Sequence, residues 1–134
     1  MIDIENELFN QIATKLRNKF NSISVYGEYI RSPAVFPVVF IEERGNNVYE
    51  RTQDSGNIEN HARLMYEVNV YSNKQTGKKS ECKKIFEVID NEFASMGFTR
   101  TLKEPIANLE DASIYRMVGR YTGVISTNKT IYRR

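Results

Sequence analysis

The sequence of 134 residues contains one cysteine, one histidine, three prolines and no tryptophan. The single cysteine, Cys82, cannot form a disulfide within the chain, which agrees with a reducing compartment. With only His61 and Cys82 as nitrogen and sulfur ligands, a zinc site would need carboxylates for most of its ligands. Charged residues make up 27% of the chain, and together with the few prolines this excludes a disordered or collagen-like composition.

Long apolar runs are also missing. No stretch of the sequence approaches the roughly 20 apolar residues that a membrane-spanning helix needs. The first five residues, Met-Ile-Asp-Ile-Glu, lack the basic and then apolar pattern of a signal peptide. We therefore expect a protein without a membrane segment that is made and kept inside a cell.

The composition predicts a single domain over residues 1–134, because 40% hydrophobic residues can fill one core but not two. The net charge of +2 is spread unevenly. The last 22 residues carry Arg116, Arg120, Lys129, Arg133 and Arg134 and no acid. This split predicts that the basic end of one copy meets an acidic face of another, as in a head-to-tail ring, with a solvated basic tail as the alternative.

Two segments have the apolar spacing of amphipathic helices. The first follows Asp3, its expected N-cap, and repeats from Leu8 to Phe20. The second follows the turn at 73–77 and ends at Gly97, the expected residue C′ of the helix terminus.

Strands are predicted at 23–26, at 35–41 starting at or just after Pro37, at 62–71, at 98–102 and at 113–126. A short extended piece is expected at 130–132 and a loop at 105–111. The order α-β-β-β-α-β-β predicts an α+β fold with a mixed, mainly antiparallel sheet and two main helices packed on one face. The strand that begins at Pro37 and the piece at 130–132 are the expected sheet edges.

Residues 44–60 are rich in Gly, Asn and Asp and have no sustained period, which predicts a long loop or the tip of a hairpin. Connections of this length are uncommon in compact domains and are often functional. Arginine and tyrosine are enriched at interface hot spots, so Arg44, Tyr49 and Arg51 are the expected contacts with a protein partner.

No group of residues indicates catalysis, a metal or a cofactor. Residues 76–80, Thr-Gly-Lys-Lys-Ser, match the end of a phosphate-binding loop, but Ser72 stands where that motif needs a glycine. Cys82 lies on an apolar helix stripe, which favours an inert buried thiol. The adjacent acids Glu42 and Glu43 should point to opposite faces of a strand. We expect a non-enzyme without a cofactor.

Arg116 and Arg120 lie four residues apart on one predicted strand and should point the same way. They could face the lumen of a ring, or acids of the next subunit, with a solvated sheet face as the alternative, and Arg133 and Arg134 join this group. The neighbouring Tyr115 and Tyr121 leave nucleic-acid binding by stacking as a further alternative.

The order of the elements and several strings within residues 62–126 resemble the tail terminator or tail completion proteins that join tail to head in siphophages. The matching features are the strand Tyr-Glu-Val-Asn-Val-Tyr-Ser at 66–72, Gly77-Lys78 opening a helix, Ile89-Asp90, Met96-Gly97-Phe98 with Arg100, Asp111, Tyr115-Arg116 and Arg120-Tyr121. Each string also has a folding explanation, and the resemblance lies in their order and spacing.

The resemblance implies a ring, commonly of six copies, that caps the tail tube, ends its polymerisation and presents a docking surface to the head connector or head-completion protein. DNA would pass through the lumen without sequence-specific binding, and no cofactor would be needed. The protein would lie in the virion at the head–tail junction, and in the host cytoplasm during assembly. The alternatives are a related head-completion or minor capsid protein, or a non-catalytic protein-binding module.

Overall fold

The computed structural model describes residues 1–28, 35–48, 61–107 and 113–126. The described helices and strands follow one another in the predicted order. Together with the sheet that they form, they confirm an α+β fold. Their bounds are α1 (Glu5–Lys19), β1 (Ser24–Tyr26), β2 (Val38–Val48), β3 (His61–Ser72), α2 (Lys78–Ser95), β4 (Thr99–Ile106) and β5 (Tyr115–Ser126).

The sheet has five strands in the order β1-β2-β3-β5-β4. β1 pairs with β2 in parallel, and the other three pairs are antiparallel. The sheet is therefore mixed and mainly antiparallel, as predicted. No helix in the described ranges is long and apolar enough to cross a membrane.

α1 begins one residue later than the sequence suggests. Ile4 occupies the N-cap position, where it has no side chain that could cap the helix. Asp3 Oδ1 accepts a hydrogen bond of 3.0 Å from the backbone N–H of Glu5, so the acid still satisfies a free donor at the helix start. The helix buries Leu8, Ile12, Ala13 and Leu16 against the core.

α2 ends at Gly97 in the predicted way, with a left-handed φ of 84°. The backbone N–H of Phe98 donates to the carbonyl of Phe93 at 2.9 Å, and that of Gly97 donates to the carbonyl of Ala94 at 3.0 Å. These two bonds define a Schellman motif. The rings of Phe93 and Phe98, whose centroids lie 5.4 Å apart, close the same turn with an edge contact.

The main core lies between the helices and one face of the sheet. Alternate residues of β3, including Leu64, Tyr66 and Val68, are fully buried in it. α2 approaches β5 so closely that a Cβ on Gly119 would lie 2.6 Å from Cε1 of Phe86. Because Gly119 has no side chain, Phe86 of α2 can pack closely against β5.

β2 corrects one prediction, since residues 44–48 of the expected loop belong to this strand. Gly45 pairs with Met65 and Val48 with Ala62, after an irregularity between Glu43 and Gly45. Glycine and asparagine rarely favour strands, so the pairing with β3 imposes the extended conformation on residues that do not specify it. The rest of the predicted loop lies outside the described residues.

The sheet edges also differ from prediction. β1 and β4 are the outer strands, whereas β2 lies between β1 and β3. β1 covers only Val38–Phe40 of β2. β4 continues through Pro105 to Ile106, where a loop was expected, because an edge strand accepts a residue that cannot donate to a ladder. The piece at 130–132 lies outside the described residues.

Candidate functional site on the second face of the sheet

The face of the sheet opposite α1 and α2 carries a different set of side chains. Residues on β3 alternate, so Glu67, Asn69 and Tyr71 point away from the core that holds Tyr66 and Val68. We call this side the second face. The strand register aligns three rows across β2, β3 and β5, namely Glu42–Glu67–Arg120, Phe40–Asn69–Val118 and Val38–Tyr71–Arg116.

Two arginines from different strands meet at the carboxylate of Glu67. Arg44 Nε donates to Glu67 Oε2 at 2.9 Å, and Arg120 Nη2 lies 3.9 Å from Glu67 Oε1. Arg44 Nη2 also lies 3.6 Å from Glu42 Oε1. The Glu67 side chain is 15% exposed, whereas those of Arg44 and Arg120 are 47% and 49% exposed. The carboxylate therefore orients the Arg44 guanidinium by a hydrogen bond and attracts that of Arg120, and both arginines stay half exposed.

Arg116 is held by a different pair of residues. Its Nε and Nη2 donate to Asn69 Oδ1 at 3.1 and 2.9 Å, and its Cζ lies 5.4 Å from the centroid of the Tyr71 ring. Asn69 is 6% exposed, so a neutral amide oxygen anchors the guanidinium at the sheet surface. The guanidinium over the Tyr71 ring adds a favourable cation–π contact.

Aromatic rings extend this arrangement to β1 and β2. The Tyr26 ring stacks on Phe40 with centroids 5.7 Å apart, and Phe40 meets Tyr71 edge to face at 5.7 Å. Val38, Phe40 and Val118 are 0%, 2% and 2% exposed although they lie outside the main core. The second face thus combines buried apolar side chains with the half-exposed guanidinium groups of Arg44 and Arg120, and arginine is enriched in protein interfaces.

The structure brings together three of the arginines named from sequence. Arg116 and Arg120 do share one face of β5, as predicted, and the β2–β3–β5 register adds Arg44 to them through Glu67. Sequence reasoning did not select the residues that hold them. Those residues are Glu67, Asn69 and Tyr71, whose polar alternation along β3 was the available signal. The remaining candidates lie outside the described residues, namely Tyr49, Arg51, Arg133 and Arg134.

A group of carboxylates lies on the helix side of the sheet. Oxygens of Asp3, Glu5 and Glu43 fall within 4.8 Å of one another, a spacing that a cation would accept. Each carboxylate already accepts a hydrogen bond from the chain. Glu5 Oε2 accepts from the Glu43 N–H at 3.0 Å, and Glu43 Oε1 accepts from the Tyr66 hydroxyl at 3.1 Å. These bonds attach the start of α1 to β2, and they confirm that Glu42 and Glu43 point to opposite faces.

Burial raises the pKa of the Glu43 carboxyl, and the charges of Glu5 and Asp3 raise it further, while the Tyr66 hydrogen bond opposes them. Burial also raises the pKa of the Cys82 thiol to about 12, with a smaller contribution from Glu81. Cys82 is fully buried, which confirms its predicted place on the apolar stripe. Such a thiol holds almost no thiolate near neutral pH.

No protein-family model matches the chain, and no curated protein matches it either. The function must therefore be argued from the side chains that the fold assembles. On the second face these are the guanidinium groups of Arg44 and Arg116, which hydrogen bonds orient, and that of Arg120 near Glu67, beside the rings of Tyr26 and Tyr71.

Proposed function

We propose that the chain is a structural virion protein that caps a phage tail tube, ends its polymerisation and forms the head–tail joining interface as a ring of copies. The observation that carries the proposal is the placement of Arg44, Arg116 and Arg120 on one sheet face, each beside an acceptor of β3. The resemblance of residues 62–126 to tail terminators supplies the identity of the partners.

Held arginines favour a protein partner for a physical reason. A free arginine loses much rotamer freedom when it binds, whereas a guanidinium already fixed by Glu67 or Asn69 loses less. Arg44 and Arg120 keep about half of their side-chain surface exposed, so they can meet acidic or amide groups of a partner. Arginine and tyrosine are also the side chains that most often dominate interface energies.

The sheet has two unlike edges, which suits a ring. β1 pairs only with Val38–Phe40, so in the described part of the chain no strand pairs with Ile41–Val48 on that side. The opposite edge, β4, differs from it, because an interrupted ladder and Pro105 make β4 a poor template for another strand. Contacts between unlike surfaces of identical copies are heterologous, and they close into a ring when the rotation between copies is suitable.

The experiment that tests the proposal is a measurement of mass in solution, by light scattering after size exclusion, with and without the candidate tail-tube protein. We expect a discrete species near six times 15.6 kDa, formed alone or only on the tube. A protein that stays monomeric and does not bind the tube protein at high concentration would contradict the proposal. Binding to a head connector without binding to the tube would point instead to a head-completion protein.

A matched pair of variants connects this test to the second face. The double variant Arg44→Ala and Arg120→Ala should lose binding to the tube or connector protein. The control is Lys103→Ala, because Lys103 is an exposed cation of β4 whose Nζ lies on the helix side, 6.0 Å from the centroid of the Phe86 ring. Equal binding by the double variant and the control would exclude the second face as the partner surface.

A further inference from the structure

The layer formed by α1 and α2 has two chemically different ends along the strand direction. α1 leads into β1, where Ser24 pairs with Val38. α2 follows β3, whose Tyr71 also pairs with Val38. The C-terminal end of α1 and the N-terminal end of α2 therefore lie above the same end of the sheet.

This end of the helix layer is basic. The exposed cations that the two helices place here are Lys15, Arg17, Lys19, Lys79, Lys83 and Lys84, which we call the basic pole. The acid nearest to them in the first turn of α2, Glu81, accepts a hydrogen bond of 2.6 Å from the Ser72 hydroxyl. Within the described residues, none of the cations of the basic pole forms an ion pair.

The other end of the helix layer is acidic. The start of α1 is attached to Glu43 of β2, which pairs with Tyr66. Tyr66 in turn pairs with Tyr121, whose hydroxyl donates to Asp90 Oδ1 of α2 at 3.0 Å. The acids at this level are Asp3, Glu5, Glu7, Glu43, Asp90 and Glu92, which we call the acidic pole. Arg100 pairs with Asp90 and neutralises only part of this charge.

We propose that the basic pole of one copy docks on the acidic pole of a second copy of this chain. The inference rests on the ring in the proposed function, and it names the surfaces through which neighbouring subunits meet. Unlike poles attract and like poles repel, so charge favours a head-to-tail contact over a two-fold symmetric dimer.

A second copy fits these poles better than a nucleic acid does. A polyanion would match the basic pole alone, whereas a copy of the chain satisfies both poles at once. Each pole contains the N-terminal end of one helix and the C-terminal end of the other, so the two helix dipoles offset each other and the charge of each pole comes from its side chains. Exposed charges are screened over about 8 Å at physiological ionic strength, so the contact should weaken as salt is added.

Charge reversal at each pole tests the contact. One variant carries Lys79→Glu, Lys83→Glu and Lys84→Glu, and the other carries Glu7→Lys and Glu92→Lys. Each variant alone should associate more weakly than the parent, with the association constant lower by on the order of tenfold or more. An equimolar mixture of the two variants should regain association, because the reversed poles now match each other. The measurement is mass in solution at low and moderate salt, alone and with the tube protein.

Two controls keep the result interpretable. Lys103→Glu reverses an exposed lysine outside the basic pole and should leave the mass unchanged. Thermal unfolding of every variant shows whether it folds. If Glu92→Lys perturbs folding through the loss of its bond from Gln11, whose Nε2 lies 3.3 Å from Glu92 Oε1, then Glu7→Lys alone replaces the double variant in the same mixing test.

The outcomes separate this inference from the proposed function. Reversed variants that assemble as the parent does would overturn the pole contact while leaving the tail-capping role intact. If association depends on the poles but the protein does not bind the tube protein, the result would support the pole contact and contradict the tail-capping role. Binding of the parent to duplex DNA that only the lysine variant loses, without rescue in the mixture, would assign the basic pole to nucleic acid and overturn the contact. A parent that stays monomeric in every mixture would overturn both.

Discussion

The hydroxyl of Tyr66 donates a hydrogen bond of 3.1 Å to Glu43 Oε1 across the β2–β3 pair. Tyr66 is fully buried in the main core, so this bond satisfies a polar atom that would otherwise be costly there. The partner carboxylate lies beside Glu5 and Asp3. One interaction therefore connects the core, the start of α1 and the acidic pole, and its effect depends on pH.

Glu43→Gln should make the protein more stable near pH 7. The pKa of Glu43 is raised in the folded state above its ordinary value of 4.5, so the native state holds this proton more tightly than the unfolded state. The associated stability is fully present below the unfolded pKa and is lost as pH rises through the folded pKa. Urea unfolding from pH 4 to 8 should show a parent that loses stability relative to the glutamine variant, which keeps an acceptor for Tyr66. Parallel curves would contradict this.

Tyr66→Phe removes the hydrogen-bond donor of the same contact and leaves the Glu43 carboxyl in place. Its hydroxyl lowers the pKa of Glu43, so its removal should raise that pKa further and extend the loss of stability to higher pH. The variant should also lose about 0.5–1.5 kcal/mol for the missing hydrogen bond. Chemical shifts of the Glu43 side chain, followed through a pH titration, would report the pKa directly. An unchanged titration would show that the hydroxyl does not influence the carboxyl.

Gly119→Ala should destabilise the fold by roughly 1–3 kcal/mol, the usual cost of overpacking a core. The new Cβ would lie 2.6 Å from Cε1 of Phe86, which is 1% exposed and has little room to move. The control is Gly45→Ala on β2, where the nearest atom is Met65 Cβ at an ordinary 3.5 Å. That change should be neutral or stabilising by up to about 1 kcal/mol. Equal effects in thermal unfolding would mean that α2 can shift away from β5.

The Cys82 thiol should react with a thiol reagent only when the protein opens. It is fully buried and its pKa is raised to about 12, so both access and thiolate formation oppose reaction. Since the chain has one cysteine, the signal reports this position alone. We expect labelling of the native protein to be orders of magnitude slower than labelling in urea. Fast labelling under native conditions would place Cys82 outside a stable core.

Glu67→Ala should separate stability from partner binding. The carboxylate holds Arg44 and Arg120, which are about half exposed, so its loss should cost at most about 1 kcal/mol of stability. If the second face binds the tube or connector protein, affinity should fall more, because Arg44 loses the hydrogen bond that orients it and Arg120 loses its ion pair. Glu104→Ala, an exposed acid on β4, is the control. Affinity that follows the small stability change alone would argue against the role of the held arginines.

Local patterns in the sequence were enough to predict most elements of the fold. The alternation from Leu64 to Val70 predicts one buried face of β3, and the spacing of Leu8, Ile12 and Leu16 predicts the buried stripe of α1. Gly97 predicts the end of α2 because few other residues adopt its left-handed conformation without strain. These signals are local, since they depend on side-chain spacing within one element.

The candidate site depended on information that lies between elements. Arg44 was assigned to a loop because the glycine and asparagine residues after it do not favour a strand. Only the pairing of β2 with β3, together with the irregularity beside Glu43, places Arg44 at Glu67. The approach of Arg120 from the other side depends on the β3–β5 register. Pairing and register are tertiary properties, and a single sequence does not determine them.

β4 is the edge strand on one side of the sheet. Its ladder is interrupted at Thr101, its Lys103 is exposed, and Pro105 has no N–H to donate. Irregularities, lysines and prolines are the features by which natural proteins prevent edge strands from recruiting further chains. Under the proposed function, many copies could thus accumulate before assembly without stacking their sheets into fibres. A protein that ends the growth of one polymer would need this protection against starting another.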